Sequence, residues 1–167
     1  MSRLLIKQKV FSWTDTYDVY DEFGNPKYFV KADFFSIGHR IRIFDKRTDA
    51  ELGIIQEKVL RIFKEFEISI NGISQGIIKK QFSMFHPKYN IDYKGWRLEG
   101  DFMQWNYTVY EGGRIIVSID KQLFQWGDTY VLDIANPMDE LPALMVAIAM
   151  DAAKCSEDNN NNRNTLF

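Results

Sequence analysis

The sequence predicts an all-β-dominated fold: a closed antiparallel barrel of roughly a dozen strands enclosing one hydrophobic C-terminal helix. Three observations carry that prediction. The segment Asn136–Cys155 (NPMDELPALMVAIAMDAAKC) has no polar side chain between Glu140 and Asp151. Ahead of it a short alternating unit recurs: an aromatic or aliphatic residue, a spacer, then an aliphatic or β-branched residue. Between the copies stand tight-turn signals rather than linkers.

In chain order, Leu4–Val10 reads as an opening strand. The unit follows at Tyr17-Asp18-Val19, Ile41-Arg42-Ile43, Phe66-Glu67-Ile68, Tyr89-Asn90-Ile91, Tyr107-Thr108-Val109 and Tyr130-Val131-Leu132. Its period of two is that of a half-buried strand. Turn signals fall at Glu22–Pro26, Lys46–Ala50, Asn71-Gly72, Lys94-Gly95 and Gly112-Gly113; Asn-Gly and Gly-Gly supply the positive φ angles of tight hairpins. Hairpins on these turns, an opening strand and a closing strand at Thr129–Ile134 make about a dozen strands. Such a meander tends to close, because closure removes exposed edges. About twelve strands enclose a lumen wider than side chains alone can fill.

The segment that fills it is built from strong helix formers. Asp139 is the expected N-cap, and Pro142 falls in the first turn, where its missing N–H costs nothing. The segment is apolar all round, the mark of a helix buried on every side. Leu141, Leu144, Met145 and Ile148 are its expected plug residues. A helix with side chains is roughly 10 Å across, about what such a barrel holds. The expected organisation is one domain over 1–155, then a polar, Asn-rich, disordered tail over 156–167.

Composition narrows function. A net charge of -2 argues against binding nucleic acid by broad phosphate neutralisation. One cysteine, Cys155, allows neither an internal disulfide nor a cysteine metal site, and fits a reducing cytoplasm. The start MSRLLIKQKVF lacks the apolar core of a signal peptide, and Leu141–Met150 is far short of the roughly 20 residues that span a bilayer. Expectation is therefore a cytoplasmic protein without a transmembrane segment.

The candidate binding residues are basic: Lys58, Arg61 and Lys64 around EKVLRIFKEF, and Lys79, Lys80 and Lys88 in the next hairpin. Brought together, Lys58, Arg61, Lys79, Lys80 and Lys88 would form a phosphate-sized positive patch. Glu57, Glu65 and Glu67 are interspersed, so the competing reading is a solvated strand face of mixed sign. Asp128, Asp133, Asp139 and Glu140 form an acidic run, but Tyr130 and Val131 interrupt any calcium-ligand series and capping accounts for Asp139. His39 and His86 stand in no catalytic motif, and nucleophile-elbow, P-loop and dinucleotide fingerprints are absent. The expectation is no enzyme, no cofactor and no metal site.

The pieces Tyr17–Gly24 (YDVYDEFG), Lys79-Lys80, Tyr89-Asn90-Ile91, Leu98–Phe102 (LEGDF) and Asp128–Leu132 (DTYVL), with the apolar helix ending near Asp151, resemble in order and spacing the LURP-one-related family, including its bacterial YxjI-like branch. The resemblance extends to about Lys154. It implies the fold shared by the tubby C-terminal domain and the phospholipid scramblases, a twelve-stranded barrel around a central C-terminal helix. Tubby domains bind phosphoinositide headgroups through basic surface residues, scramblases are linked to calcium and lipid movement, and the plant relatives are linked to pathogen defence. The resemblance thus implies a non-enzymatic binding module for anionic lipid headgroups or phosphorylated ligands on the barrel exterior. The alternative is a protein-interaction or scaffold domain using exposed aromatics, with Trp13, Trp96, Trp105 and Trp126 as candidates and barrel-wall core as their competing assignment.

Overall fold

The computed structural model describes residues 1–7, 16–33, 38–59, 65–81, 88–101, 104–124 and 127–164, with the backbone alone for 80–81, 88–90, 123–124, 127–128 and 154–164. Twelve strands precede one helix: β1 (Ser2–Lys7), β2 (Thr16–Asp21), β3 (Pro26–Asp33), β4 (Arg40–Asp45), β5 (Glu51–Glu57), β6 (Glu65–Ile70), β7 (Ile73–Gln81), β8 (Lys88–Asp92), β9 (Trp96–Asp101), β10 (Asn106–Glu111), β11 (Arg114–Phe124) and β12 (Gly127–Ile134). A 3-10 turn at Pro137–Asp139 leads into α1 (Glu140–Asn164). All neighbours pair antiparallel in the order β8-β7-β6-β5-β4-β3-β2-β1-β12-β11-β10-β9. Among the described residues the ladder stops only between β8 and β9, so the barrel is nearly closed. A hydrogen-bonded turn still joins these two strands, with Trp96 N–H donating to the Tyr93 carbonyl at 2.8 Å. Exposed Arg97, Glu99 and Asp101 on β9 suit an edge that must not template another strand.

The recurring unit of the sequence marks where the wall bends. Its inner members Val19, Ile43, Ile68 and Val109 are buried, and in each case the register shifts immediately after them. An extra residue at each point coils the sheet more tightly just before the turn, as barrel closure requires. Asn71-Gly72, Lys94-Gly95 and Gly112-Gly113 all adopt positive φ, the mirror-image turn geometry that matches strand twist.

Antiparallel order places the connections alternately at two ends. One end carries the short turns after β2, β4, β6, β8 and β10, plus the link into α1; we call it the turn end. The other carries the longer connections and is the loop end. The helix enters at the turn end, and every residue from Pro142 to Ala153 is buried. Those residues rise about 18 Å at ~1.5 Å each. A six-residue strand spans about 20 Å, so the buried length of helix matches the wall. Gly53 of β5 shows how close the fit is: a Cβ there would lie 2.8 Å from Met145 Sδ and Cε.

Two expectations change. The helix does not end near Cys155 but continues to Asn164 through the segment read as a tail; no Gly or Pro lies beyond Pro142 to stop it. The side-chain cap is Asn136, whose Oδ1 accepts from Met138 N–H at 3.1 Å, while Asp139 faces Lys94 and Arg114 at 3.8 and 3.9 Å. A 3-10 turn before the helix moves the capping position upstream.

A carboxylate at the centre of the plug would be buried in the apolar core. Val146→Asp is expected to cost several kcal/mol against a total stability of about 5–15 kcal/mol, and so to abolish the cooperative thermal transition. Circular dichroism melting checks it, and an unchanged Tm would refute burial of the helix.

Candidate functional site

The loop end holds the lysines nominated from sequence. The Lys58 N–H donates to the Glu65 carbonyl at 2.8 Å, Glu65 pairs with Lys79 across β6 and β7, and Lys80 and Gln81 pair with Tyr89 and Lys88 across β7 and β8. The backbones of Lys58, Lys79, Lys80 and Lys88 therefore lie at neighbouring strand ends. Each described ammonium has a carboxylate nearby: Lys58 pairs closely with Glu67, and Lys79 lies 3.9 Å from Glu65. Hydrogen bonds from Lys58 and Ser74 hold the Glu67 carboxyl below the usual carboxylate range. The side chains of Lys80 and Lys88, and all of Arg61 and Lys64, lie outside what is described. The outer face here is one of alternating sign.

At the turn end two carboxylates are buried where α1 begins. Glu140 accepts from Lys27 Nζ and from the Tyr28 hydroxyl, both at 2.6 Å. Burial opposes its ionisation, yet these donors outweigh burial and hold the carboxyl below its ordinary 4.5. Burial and the bond to Glu140 push the Tyr28 phenol far up. Asp139 lies between Lys94 and Arg114, and Arg114 also pairs with Glu111. Earlier in the acidic run, Asp133 takes a two-pronged contact from Arg3, 2.6 Å from Nε and 3.0 Å from Nη2. Asp133, Asp139 and Glu140 thus meet cations of the chain itself. Among the described residues no group of three or more His, Cys, Asp or Glu could hold a metal ion; the side chain of Asp128 lies outside them.

Sequence reasoning missed the partner of His39. Its Nδ1 pairs closely with Oε2 of buried Glu57, and its own N–H donates to the same oxygen at 3.1 Å. Only the fold brings together residues 18 positions apart, so no local motif announces the pair. Inside the wall, Tyr107 has no hydrogen-bond partner for its hydroxyl among the described residues, and burial together with the charge of Asp151 raises its phenol. Of the nominated tryptophans, Trp96 and Trp105 are buried at 1% and 4% exposure, and Trp105 stacks on Tyr130 with centroids 4.0 Å apart. Trp13 and Trp126 lie outside the described residues, as do the whole of His86 and the side chain of Cys155. The exposed large apolar residues are others, among them Phe23, Ile73, Ile115 and Met138, all at the turn end.

The Glu140 clamp fixes the sign of a pH effect. A carboxyl depressed on folding stabilises the fold above the ordinary carboxylate range, and that contribution is lost as pH falls through the folded value. Urea melts should therefore show stability falling below about pH 4.5, with a shallower fall in Glu140→Gln. Tyr28→Phe should cost about 1–3 kcal/mol at neutral pH, because it removes a donor from a buried charge. An identical acid profile in Glu140→Gln would show that the clamp carries no charge.

Comparison with known proteins bears on this architecture directly. Residues 2–151 match the profile of a family described as LURP-one-related. The Bacillus subtilis protein YxjI is 30% identical over 151 residues, covering 90% of this chain and 93% of that protein. The crystal structure of an Arabidopsis thaliana protein aligns with a TM-score of 0.63 at 15% identity, covering 92% of this chain and 91% of that one, a likeness of fold. With the profile spanning the barrel and α1 as far as Asp151, and a bacterial relative similar over nearly its whole length, the chain belongs to the LURP-one-related family.

Proposed function

We propose that this chain is a non-enzymatic binding module that meets its ligand on the outside of the barrel. One observation carries the reading: α1 occupies the lumen, with Pro142–Ala153 all buried. Small-molecule barrels keep their ligand inside, and here that volume is core. Among the described residues no helix is long and apolar enough to cross a membrane.

The ligand class that the loop end fits best is a phosphate-bearing anion, either a lipid headgroup or a free phosphorylated group. Supporting it is the convergence of the Lys58, Lys79, Lys80 and Lys88 backbones on adjacent strand ends. A phosphate there must draw Lys58 and Lys79 from Glu67 and Glu65, so binding is expected to be salt-sensitive. Co-sedimentation with vesicles containing anionic lipid, against neutral vesicles and inorganic phosphate, separates the two sources. Lys58→Ala/Lys79→Ala should reduce anionic-vesicle binding at least about tenfold, since two charge-assisted contacts are lost. Glu65→Gln/Glu67→Gln should raise it. No binding, or binding indifferent to both pairs of changes, refutes the anion reading. The alternative, a protein-interaction domain, is favoured by a different observation: the exposed apolar side chains of the turn end.

A further inference from the structure

We infer that the tip of the β2–β3 hairpin, with Phe23 as its anchor, docks a protein partner that presents an apolar pocket rimmed by lysine or arginine. The inference rests on the protein-interaction reading and not on the loop-end lysines.

Phe23 is 82% exposed, yet it stands on an ordered turn. Asp21 Oδ1 accepts from Phe23 N–H at 2.9 Å and from Asn25 N–H at 2.8 Å. The Asp21 N–H donates to the Asn25 carbonyl at 2.9 Å, and Gly24 N–H donates to the Asp21 carbonyl at 3.0 Å. Gly24, at φ +83, takes the one left-handed position of this turn. The turn is thus made by Asp21, Gly24 and Asn25 together with the backbone, and the Phe23 side chain takes no part in it. A polar residue would serve the fold equally well and expose less apolar surface. A large aromatic side chain carried on a fixed backbone turn leaves only its own rotamer freedom to be lost on binding.

Further exposed apolar side chains stand on the same end of the barrel, two and three strands away. Strand order β2-β1-β12-β11 leads from Phe23 round the turn end to Met138, just after β12, and Ile115, at the start of β11, which are 86% and 46% exposed. On the other side lies acid. Tyr28 pairs with Asp45, and Lys46 N–H donates to the Lys27 carbonyl at 3.0 Å, which sets the β4–β5 turn beside the β2–β3 tip. Asp21, Glu22, Asp45 and Asp49 lie on these two tips. Of the nearby cations, Lys27 is held 2.6 Å from Glu140 and Lys46 2.9 Å from Asp18, while Arg47, on the β4–β5 tip itself, offsets Asp45 and leaves Asp21, Glu22 and Asp49 to set the sign. Charge complementarity selects the occupant: an anionic bilayer, or the same face of a second copy in an isologous pair, would meet like charge, whereas a basic-rimmed pocket would not.

The test replaces Phe23 with the photo-crosslinking p-benzoylphenylalanine in the full chain, expressed and irradiated in the organism that produces it. Expected is one discrete adduct with a different protein, whose crosslinked peptide maps to an apolar pocket bordered by Lys or Arg. The yield should fall at least about fivefold when Glu22→Lys/Asp49→Lys is added, as expected for charge-steered association. The same probe at Asn71, elsewhere on the turn end, should give no such adduct. Phe23→Ser should leave the Tm unchanged. The inference is overturned by no discrete adduct, an adduct of twice the chain mass, a lipid adduct, a yield indifferent to the charge reversal, or a lowered Tm in Phe23→Ser. Binding to anionic vesicles through Lys58 and Lys79 can succeed or fail without affecting this outcome.

Discussion

Everything in this fold depends on the enclosure of α1 by the sheet. A helix apolar on every face has no stable surface position, and a sheet of twelve strands has no way to fill its own centre with side chains. Each resolves the other. The match is dimensional as well as chemical: the buried run Pro142–Ala153 is as long as the wall is high, and Gly53 vacates a slot into which Met145 fits. Once the lumen is core, burial of the inner strand residues follows, from Leu4 and Ile6 through Ile119 and Leu132.

That enclosure makes the two ends of the barrel chemically unequal. At the turn end the chain changes direction in few residues, and the helix entrance is locked by Tyr28 and Lys27 on Glu140. The positive end of the helix dipole lies there, which suits two carboxylates and helps explain how the Glu140 carboxyl is held below its ordinary value while buried. At the loop end the connections lengthen, and His39 and Glu57 close one strand exit onto another. A binding surface can change on either end without disturbing the core, because hairpin tips and connections contribute little to it.

Strand number, the turns, the plugged lumen and the pairing of the other hairpins were legible in the sequence because each rests on a local signal. Period-two alternation placed Tyr17-Asp18-Val19 and its repeats, and Asn71-Gly72 announced its turn by requiring positive φ. The break between β8 and β9 was not legible. Lys94-Gly95 makes the turn it promised, but continued pairing beyond a turn is decided by the whole sheet's curvature. Nor was the helix end: composition at Ser156–Asn164 suggested a tail, while the absence of a stop signal let the helix run on. The candidate sites were legible only as lists of residue types. Lys58 and Lys79 could be nominated, but that Glu67 and Glu65 would lie beside them follows from register. Phe23 is one phenylalanine among 13, and only its exposure in the folded chain sets it apart.

The same logic explains why the exposed aromatic, and not the tryptophans, emerges as the surface feature. Tryptophan is a frequent interface anchor, but in a barrel with a large lumen its volume is equally useful inside. Trp96 and Trp105 fill the inner layer, in edge contact with Tyr93 and stacked on Tyr130 respectively. Core demand thus draws the described tryptophans inward, and only positions that the wall cannot use remain for recognition. Hairpin tips are such positions. Their backbone is fixed by Asx bonds and left-handed glycines, so the side chain at the apex is free of any folding role. An apolar residue at such an apex, as Phe23 is, adds little to the core, and the surface it offers is available for recognition.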